Sequence, residues 1–421
     1  MKNILIVGAN FNNKGAQAML FVTVDEIRKR FPDAKIYFGG IDKWKPNTYT
    51  FDQVYYRDYN KAIAMKSAKG TVRCLKTLAK DIVKAVTGRG AGFSHLFDLK
   101  KIIPHIDLMV DISGFNIGKQ WSVDVQEDYF DNIRLAKVYD IPVILMPQSF
   151  GPFDYERGKR FLLDEAKELL RYPCVIYARE LDSKRQLEET FGLTNVLQST
   201  DLVLQNRGID LNNIFVQPPE ISVPKVAAGS VGIVPNAKCV SNGDIKELLP
   251  LYREIIRRLH ENGRAVYIFR HSSNDARLCE MIYAENQDIG MLEYINRDFN
   301  CFEYSAFVRQ FDFIVCSRYH GIVNAYKESV PAVILGWAEK YRELARVVSQ
   351  EKYQFDITGA IPKERILTAL DTMMHNCGQE KEVIRSCLKP VQEKNCFDIL
   401  DTLLTSEKRC ASEKPQDSGK K

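Results

Sequence analysis

The run Ser317-Arg318-Tyr319-His320-Gly321 stands between an apolar stretch, Phe313 to Cys316, and a helical pattern from Ile322 to Lys327. It therefore falls at the start of a helix, where unsatisfied backbone N–H groups and a partial positive charge favour anions. Arg318, with Ser317 beside it, can grip a phosphate or carboxylate through two parallel hydrogen bonds. His320, ordinarily titrating near neutrality, suits proton transfer, and the same ring would equally serve to cap the helix or bond a nearby carbonyl. Arg179, in Ala178-Arg179-Glu180, offers a second anion grip or an ion pair with Glu180 or another acid. His271 offers a ligand contact or a helix cap. Asp111 offers a base, or a loop carboxylate bonding backbone amides. Gln148 suits a sugar hydroxyl, or the bracing of its own loop. Asn13, Gly15 and Lys340 complete the candidates.

All of these residues follow short apolar runs. Ile4–Val7, Asp107–Asp111, Pro142–Met146 and Cys174–Tyr177 lie in the first half, and Ser230–Val234, Ala265–Phe269, Phe313–Cys316 and Ala332–Leu335 in the second. Helical spacing separates them, beginning with Met19, Leu20, Val22, Ile27 and Phe31. Alternation of buried parallel strands with helices is the signature of a doubly wound sheet, in which ligands gather beyond the carboxyl ends of the strands. The fold class expected is α/β with two such domains: residues 1–205, a Pro-containing connection over 206–229, and residues 230–405 with closing helices. A polar tail, 406–421, is expected to be disordered. Polar or cationic residues after nearly every apolar run point to a cleft for an anionic, hydroxyl-rich ligand.

Composition narrows the class. A chain of 421 residues with 45% hydrophobic and 27% charged residues suits a two-domain globular protein. A net charge of +5 and the absence of a dense basic arm argue against a nucleic-acid partner. No stretch approaches the roughly eighteen apolar residues of a membrane span, and the apolar run at the start stops at Asn10, so a cytoplasmic protein is expected. The ten cysteines include no Cys-x-x-Cys pair, and neither a disulfide framework nor a metal site is expected. Residues 60–90 are rich in lysine and arginine with helical spacing of Leu75, Leu78, Ile82 and Val86. They read as a surface helix with a solvated basic face, or as a patch meeting acidic polymer or anionic lipid at the inner face of a membrane. The loop Gly8 to Gly15 is neither a dinucleotide fingerprint nor a Walker A sequence.

Taken in order, Asn13-Lys14-Gly15-Ala16-Gln17-Ala18, Asp111-Ile-Ser-Gly-Phe115, Pro147-Gln-Ser-Phe-Gly-Pro152, Arg179-Glu180 with Ser183, and Ser317-Arg-Tyr-His-Gly321 with Gly336 and Lys340 resemble the polysaccharide pyruvyltransferase family, over about residues 1 to 345. The resemblance implies a glycosyltransferase-B-like fold, two Rossmann-like domains facing across a cleft. It implies phosphoenolpyruvate as donor substrate with no further cofactor. The acceptor it implies is a sugar in a surface polysaccharide or its lipid-linked precursor, and the product a pyruvate ketal. Arg179, Arg318 and His320 match the family's donor-binding and catalytic positions. For such a reaction the residues themselves offer Asp111 or His271 as an acceptor-side base. Many members carry an Asp-Glu pair where this chain has Ala16 and Gln17. The alternative on the same architecture is a glycosyltransferase using a nucleotide-sugar, with Glu339 or Glu343 on the ribose.

Overall fold

The structure is a computed structural model; it describes residues 1–11, 13–40, 48–67, 72, 74–87 and 97–405. The expected tail, and Lys69, Arg73 and Arg89 of the basic segment, lie outside these. The first sheet contains β1 (Asn3–Val7), β2 (Lys35–Gly40), β3 (Asp52–Tyr55), β4 (Leu108–Asp111), β5 (Val143–Gln148), β6 (Val175–Ala178) and β7 (Val196–Gln198), ordered β3-β2-β1-β4-β5-β6-β7. The second contains β8 (Val231–Val234), β9 (Val266–Phe269), β10 (Leu292–Ile295), β11 (Phe313–Cys316), β12 (Ala332–Gly336) and β13 (Gln354–Asp356), ordered β10-β9-β8-β11-β12-β13. Every pairing is parallel. Central strands such as Ile4-Leu-Ile-Val7 and Phe313-Ile-Val-Cys316 are buried on both faces, which requires their unbroken apolar runs. Edge strands lack that signal: β10 exposes Glu293, β3 exposes Asp52, and β7 and β13 are only three residues long.

Strand order reverses between β1 and β4 in one sheet and between β8 and β11 in the other. Register sets the strand ends level there, Val7 beside Asp111 and Val234 beside Cys316. Gly8 leaves β1 with φ +90°, and a Cβ on it would fall 2.3 Å from Ser113 Oγ, so only glycine lets these two chain exits run side by side.

The halves are joined by one apolar body. The helix Lys14–Arg30 packs on the helix Cys301–Val308, with Phe21 and Phe302 stacked at 5.2 Å between ring centres. A fully buried phenylalanine such as Phe21 is worth about 1.5–3 kcal/mol. Lys14 Nζ reaches Asp298 at 2.5 Å, and Gln17 Oε1 accepts from the Cys301 amide at 3.1 Å. The closing helices do not stay with the second domain as the expected boundary had it. After the helix Lys363–Glu393 the chain returns to the first domain, where Arg30 donates to Asp398 at 2.9 Å and the Cys396 amide to Gln205 at 2.8 Å. Phe397 and Leu400 are buried in the shared core.

Among the described residues eight cysteines form no disulfide, six of them buried, and Cys174 is disulfide-bonded, a bridge that spacing alone does not announce. Among the described residues no helix is long and apolar enough to cross a membrane.

Candidate active site between the two sheets

The helix Tyr319–Lys327 leaves β11 at the switch point, and its first turn carries no side-chain cap. His320 therefore sits on an amide-rich, electropositive end. Its backbone carbonyl is held by Asn324 Nδ2 at 2.7 Å. From the opposite domain the start of the Lys14–Arg30 helix comes so close that a Cβ on Gly15 would lie 2.3 Å from His320 Cγ. Gly15 thus seats the imidazole. His320 Nε2 stands 3.9 Å from Asp201 Oδ2 and has no hydrogen-bond partner, although it is buried. Burial lowers the His320 pKa to about 4; Asp201 pulls the other way, while Arg179, Lys340 and Arg318 deepen the depression. The ring is neutral at pH 7 rather than poised near neutrality, because desolvation and three cations disfavour imidazolium.

The same oxygen, Asp201 Oδ2, takes Arg179 Nη1 at 3.1 Å. Arg179 Nε donates to Glu180 Oε1 at 3.0 Å, and Nη2 to Ser149 Oγ at 2.6 Å. Its guanidinium lies 4.4 Å from the centre of the Tyr319 ring. Burial works against its charge, but Tyr319, Glu180 and Asp201 hold the pKa above the ordinary arginine value. Every nitrogen of Arg179 is occupied, so it braces the histidine side of the cleft instead of offering a free fork.

Arg318 is similarly partnered: Nε donates to Asp275 Oδ2 at 2.6 Å and Nη2 to Oδ1, while Nη1 has no partner among the described residues. Asp275 is wholly buried and also accepts from the Ala237 amide at 2.9 Å. Lys340 differs. It has no carboxylate partner among the described residues, and its ammonium stands among aromatic rings, 5.1 Å from Trp337, 5.6 Å from Tyr319 and 5.9 Å from Phe115. Burial, with Arg179 and Arg318 nearby, lowers its pKa to about 8 against the pull of Glu180. His271 lies nearly parallel to His320, 6.4 Å between ring centres, and edge-on to Tyr304 at 4.8 Å. Its Nε2 is also buried without a partner, and burial pushes its pKa well below the ordinary value, with His320, Lys14 and Arg318 adding to it. Unpaired buried donors and acceptors cost about 1–3 kcal/mol each, so two facing imidazoles with orphan nitrogens mark a position for a ligand.

A family model, polysaccharide pyruvyl transferase, matches residues 13–339. The chain belongs to that family. Among solved structures it resembles the glycotransferase of kitacinnamycin, at 11% identity and TM-score 0.52 over 95% of this chain and 98% of that one. It also resembles a mutant of S. aureus TarM in complex with Fondaparinux, alpha-GlcNAc-glycerol and UDP, at 10% identity and TM-score 0.55 over 96% and 100%. The UDP-GlcNAc 2-epimerase of Neisseria meningitidis bound to UDP-GlcNAc is similar at 12% identity and TM-score 0.53 over 96% and 99%. At such identities these likenesses show the fold, two Rossmann-like domains in the glycosyltransferase-B arrangement. No curated protein sequence matches the chain.

In this chain, His320, Arg318, Arg179, His271, Lys340 and Gly15 come together from five separate chain exits, Arg318 and His320 sharing the one after β11. Four other candidates do not reach into the cleft as ligand groups. Asp111 is buried, its Oδ1 taking the Ser113 amide at 2.9 Å and Gln148 Nε2 at 3.3 Å, and its Oδ2 taking Asn132 at 3.1 Å. Burial raises its pKa against those bonds, yet both oxygens are committed, so it is not an available base. Gln148 is fully buried between Asp111 and the Tyr129 hydroxyl, which donates to it at 3.1 Å. Ser317 is fully buried: its carbonyl accepts from Asn236 and from Tyr341, each at 3.0 Å, and its hydroxyl meets Tyr252 at 3.2 Å. Asn13 caps the Lys14–Arg30 helix, accepting from Gly15 at 2.9 Å and Ala16 at 3.4 Å. These four build the cleft rather than line it.

Asp201 is what residue-by-residue reading misses. Asp201 follows β7, a strand too short to show in the sequence, and its Asp-Leu-Val context looks like an ordinary helix cap, which it also is, accepting from the Val203 amide at 3.0 Å. Gln17, one of the departures from the family's acidic pair, uses its side-chain oxygen on the opposite domain.

Proposed function

We propose that the protein transfers the pyruvyl group of phosphoenolpyruvate, in the cytoplasm, to two hydroxyls of one sugar in a surface polysaccharide or its lipid-linked precursor. The observation that carries this reading is the unpartnered His320 Nε2 beside the unpaired ammonium of Lys340, at an uncapped helix start. Phosphoenolpyruvate bears a phosphate and a carboxylate. Lys340, Arg318 Nη1 and the first amides of the Tyr319–Lys327 helix supply donors for both. His320 gains a proton as the anion binds and delivers it to the methylene carbon, which becomes a methyl group. A sugar hydroxyl attacks the adjacent carbon and its proton returns to the imidazole. The second hydroxyl then displaces phosphate at that carbon and closes the ketal, its proton leaving on the phosphate. One phosphoenolpyruvate and one diol give one ketal and one inorganic phosphate, with no change in oxidation state.

The test is phosphate release from phosphoenolpyruvate across a panel of glycosides, with mass spectrometry of the sugar. Phosphate and a pyruvylated glycoside are expected together. Glycosyl transfer from a nucleotide-sugar, with phosphoenolpyruvate inert on every glycoside, would replace this reading by the glycosyltransferase one.

A further inference from the structure

The helix Leu75–Val86 presents the wrong side to water. Amphipathic surface helices bury their apolar stripe. Here Thr77, Leu78 and Asp81 face the body, and Asp81 is held by Arg57 Nε at 2.9 Å and by the Tyr59 hydroxyl at 3.0 Å. The rest of the stripe stands in solvent: Leu75 is 51% exposed, Val83 61% and Val86 71%, with Ile82 at 37%. Of the fourteen large exposed hydrophobic side chains among the described residues, six lie between residues 72 and 97, so this is a patch and not scatter.

Charge marks what the patch meets. Lys76, Lys80 and Lys84, all exposed, form a row one helical turn apart along the stripe. The helix's only acid is Asp81, which is turned inward. The short helix Asp98–Ile102 packs on the same Asp58–Ala64 helix and adds exposed Lys100 and Lys101. The Leu75–Val86 helix has no aromatic residue or arginine, the usual anchors of a protein interface. A flat aliphatic stripe edged by lysines suits the acyl boundary of a bilayer, with ammonium groups reaching the head groups.

We propose that this helix docks the protein on a membrane surface containing anionic lipid, lying in the interface without crossing it. The segment departs from the carboxyl end of β3, outside the elements that position His320, so the inference is independent of the pyruvyl-transfer reading.

The experiment is co-sedimentation of the full chain with phosphatidylcholine vesicles, with and without phosphatidylglycerol. Binding is expected only to the phosphatidylglycerol vesicles and is expected to weaken with salt. Each lysine near such a surface contributes enough that Lys76→Gln, Lys80→Gln and Lys84→Gln together lower partitioning by about 10²-fold. Val83→Asp with Val86→Asp lowers it on the order of tenfold or more, because these side chains enter the acyl boundary. All five positions are exposed, and unchanged melting midpoints check that the variants fold. No binding to phosphatidylglycerol vesicles, equal binding to phosphatidylcholine alone, or binding untouched by both variants overturns the proposal. So does self-association of the wild type in vesicle-free solution that Val83→Asp with Val86→Asp abolishes, since the stripe would then be an interface between copies.

Discussion

Binding of phosphoenolpyruvate should draw a proton onto His320. Its surroundings hold this imidazole at a pKa of about 4, so at pH 7 only about one molecule in 10³ carries imidazolium. Forming imidazolium there costs about 4 kcal/mol. A phosphate charge about 4 Å from the ring, at an effective dielectric near 20, returns about 4 kcal/mol, and the substrate's carboxylate adds to it. The two terms match, so the bound complex should be largely protonated near neutrality. Calorimetric titration in PIPES and in imidazole separates the proton from the binding heat, because the buffers differ in ionisation enthalpy. Near pH 6–7 an uptake approaching one proton per site is expected in the wild type and close to none in His320→Gln. Toward pH 8, Lys340 has begun to lose its own proton and should add a fraction that Lys340→Gln alone removes. Affinity should accordingly fall as pH rises through this range. Zero uptake by the wild type, or the same uptake in His320→Gln, would refute the assignment of His320 as the proton carrier.

Lys340→Gln removes an ammonium that no carboxylate among the described residues neutralises, and should raise the KM for phosphoenolpyruvate about 10–10²-fold, the worth of a charged hydrogen bond, with kcat much less affected in steady-state assays. Gly15→Ala drives a methyl into the His320 ring and should lower kcat on the order of 10²-fold, with a melting midpoint that shows the fold retained. Asp111→Asn should do the opposite: activity within a few-fold of wild type, but a loss of about 1–3 kcal/mol in denaturant unfolding, since the carboxylate braces Ser113, Asn132 and Gln148. Because His320 is depressed from 6.5 to about 4 in the folded protein, the unfolded chain binds the extra proton between those values. Stability should therefore fall as pH drops through that window, by up to about 3 kcal/mol, and less in His320→Gln, as thermal melts across the range would report.

Central strands were legible because burial on both faces demands apolar runs, and Phe313–Cys316 or Ile4–Val7 can hardly be anything else. Their carboxyl ends follow, and with them Arg179, His271, Arg318, His320 and Lys340. Edge strands were not legible, and β7 shows the cost: without it Asp201 has no reason to attract notice. Partner choice was hidden for a second reason. Sequence position says that Arg179 and Arg318 reach the cleft and sets Glu180 beside Arg179, but not that Asp201 and Asp275 arrive from other chain exits to pair with them. The basic segment shows a third limit. Helical spacing located the Leu75–Val86 helix, while which face turns outward is decided by Arg57 and Tyr59 capturing Asp81.

The expected cationic crevice is in fact balanced. Arg179, Arg318 and Lys340 face Glu180, Asp201 and Asp275, so the nearest charges sum to zero before any ligand arrives. A crevice of bare arginines would hold any anion, including the phosphate it must release. With each guanidinium already oriented by a carboxylate, recognition falls to directed N–H groups, to Lys340, and to a proton that only a sufficiently charged ligand can bring onto His320. On the proposed reaction that proton is the one passed to the methylene carbon. Transfer to carbon returns His320 to the neutral state its surroundings prefer, the first hydroxyl's proton recharges it, and once the phosphate has left nothing holds that proton against the pull of desolvation.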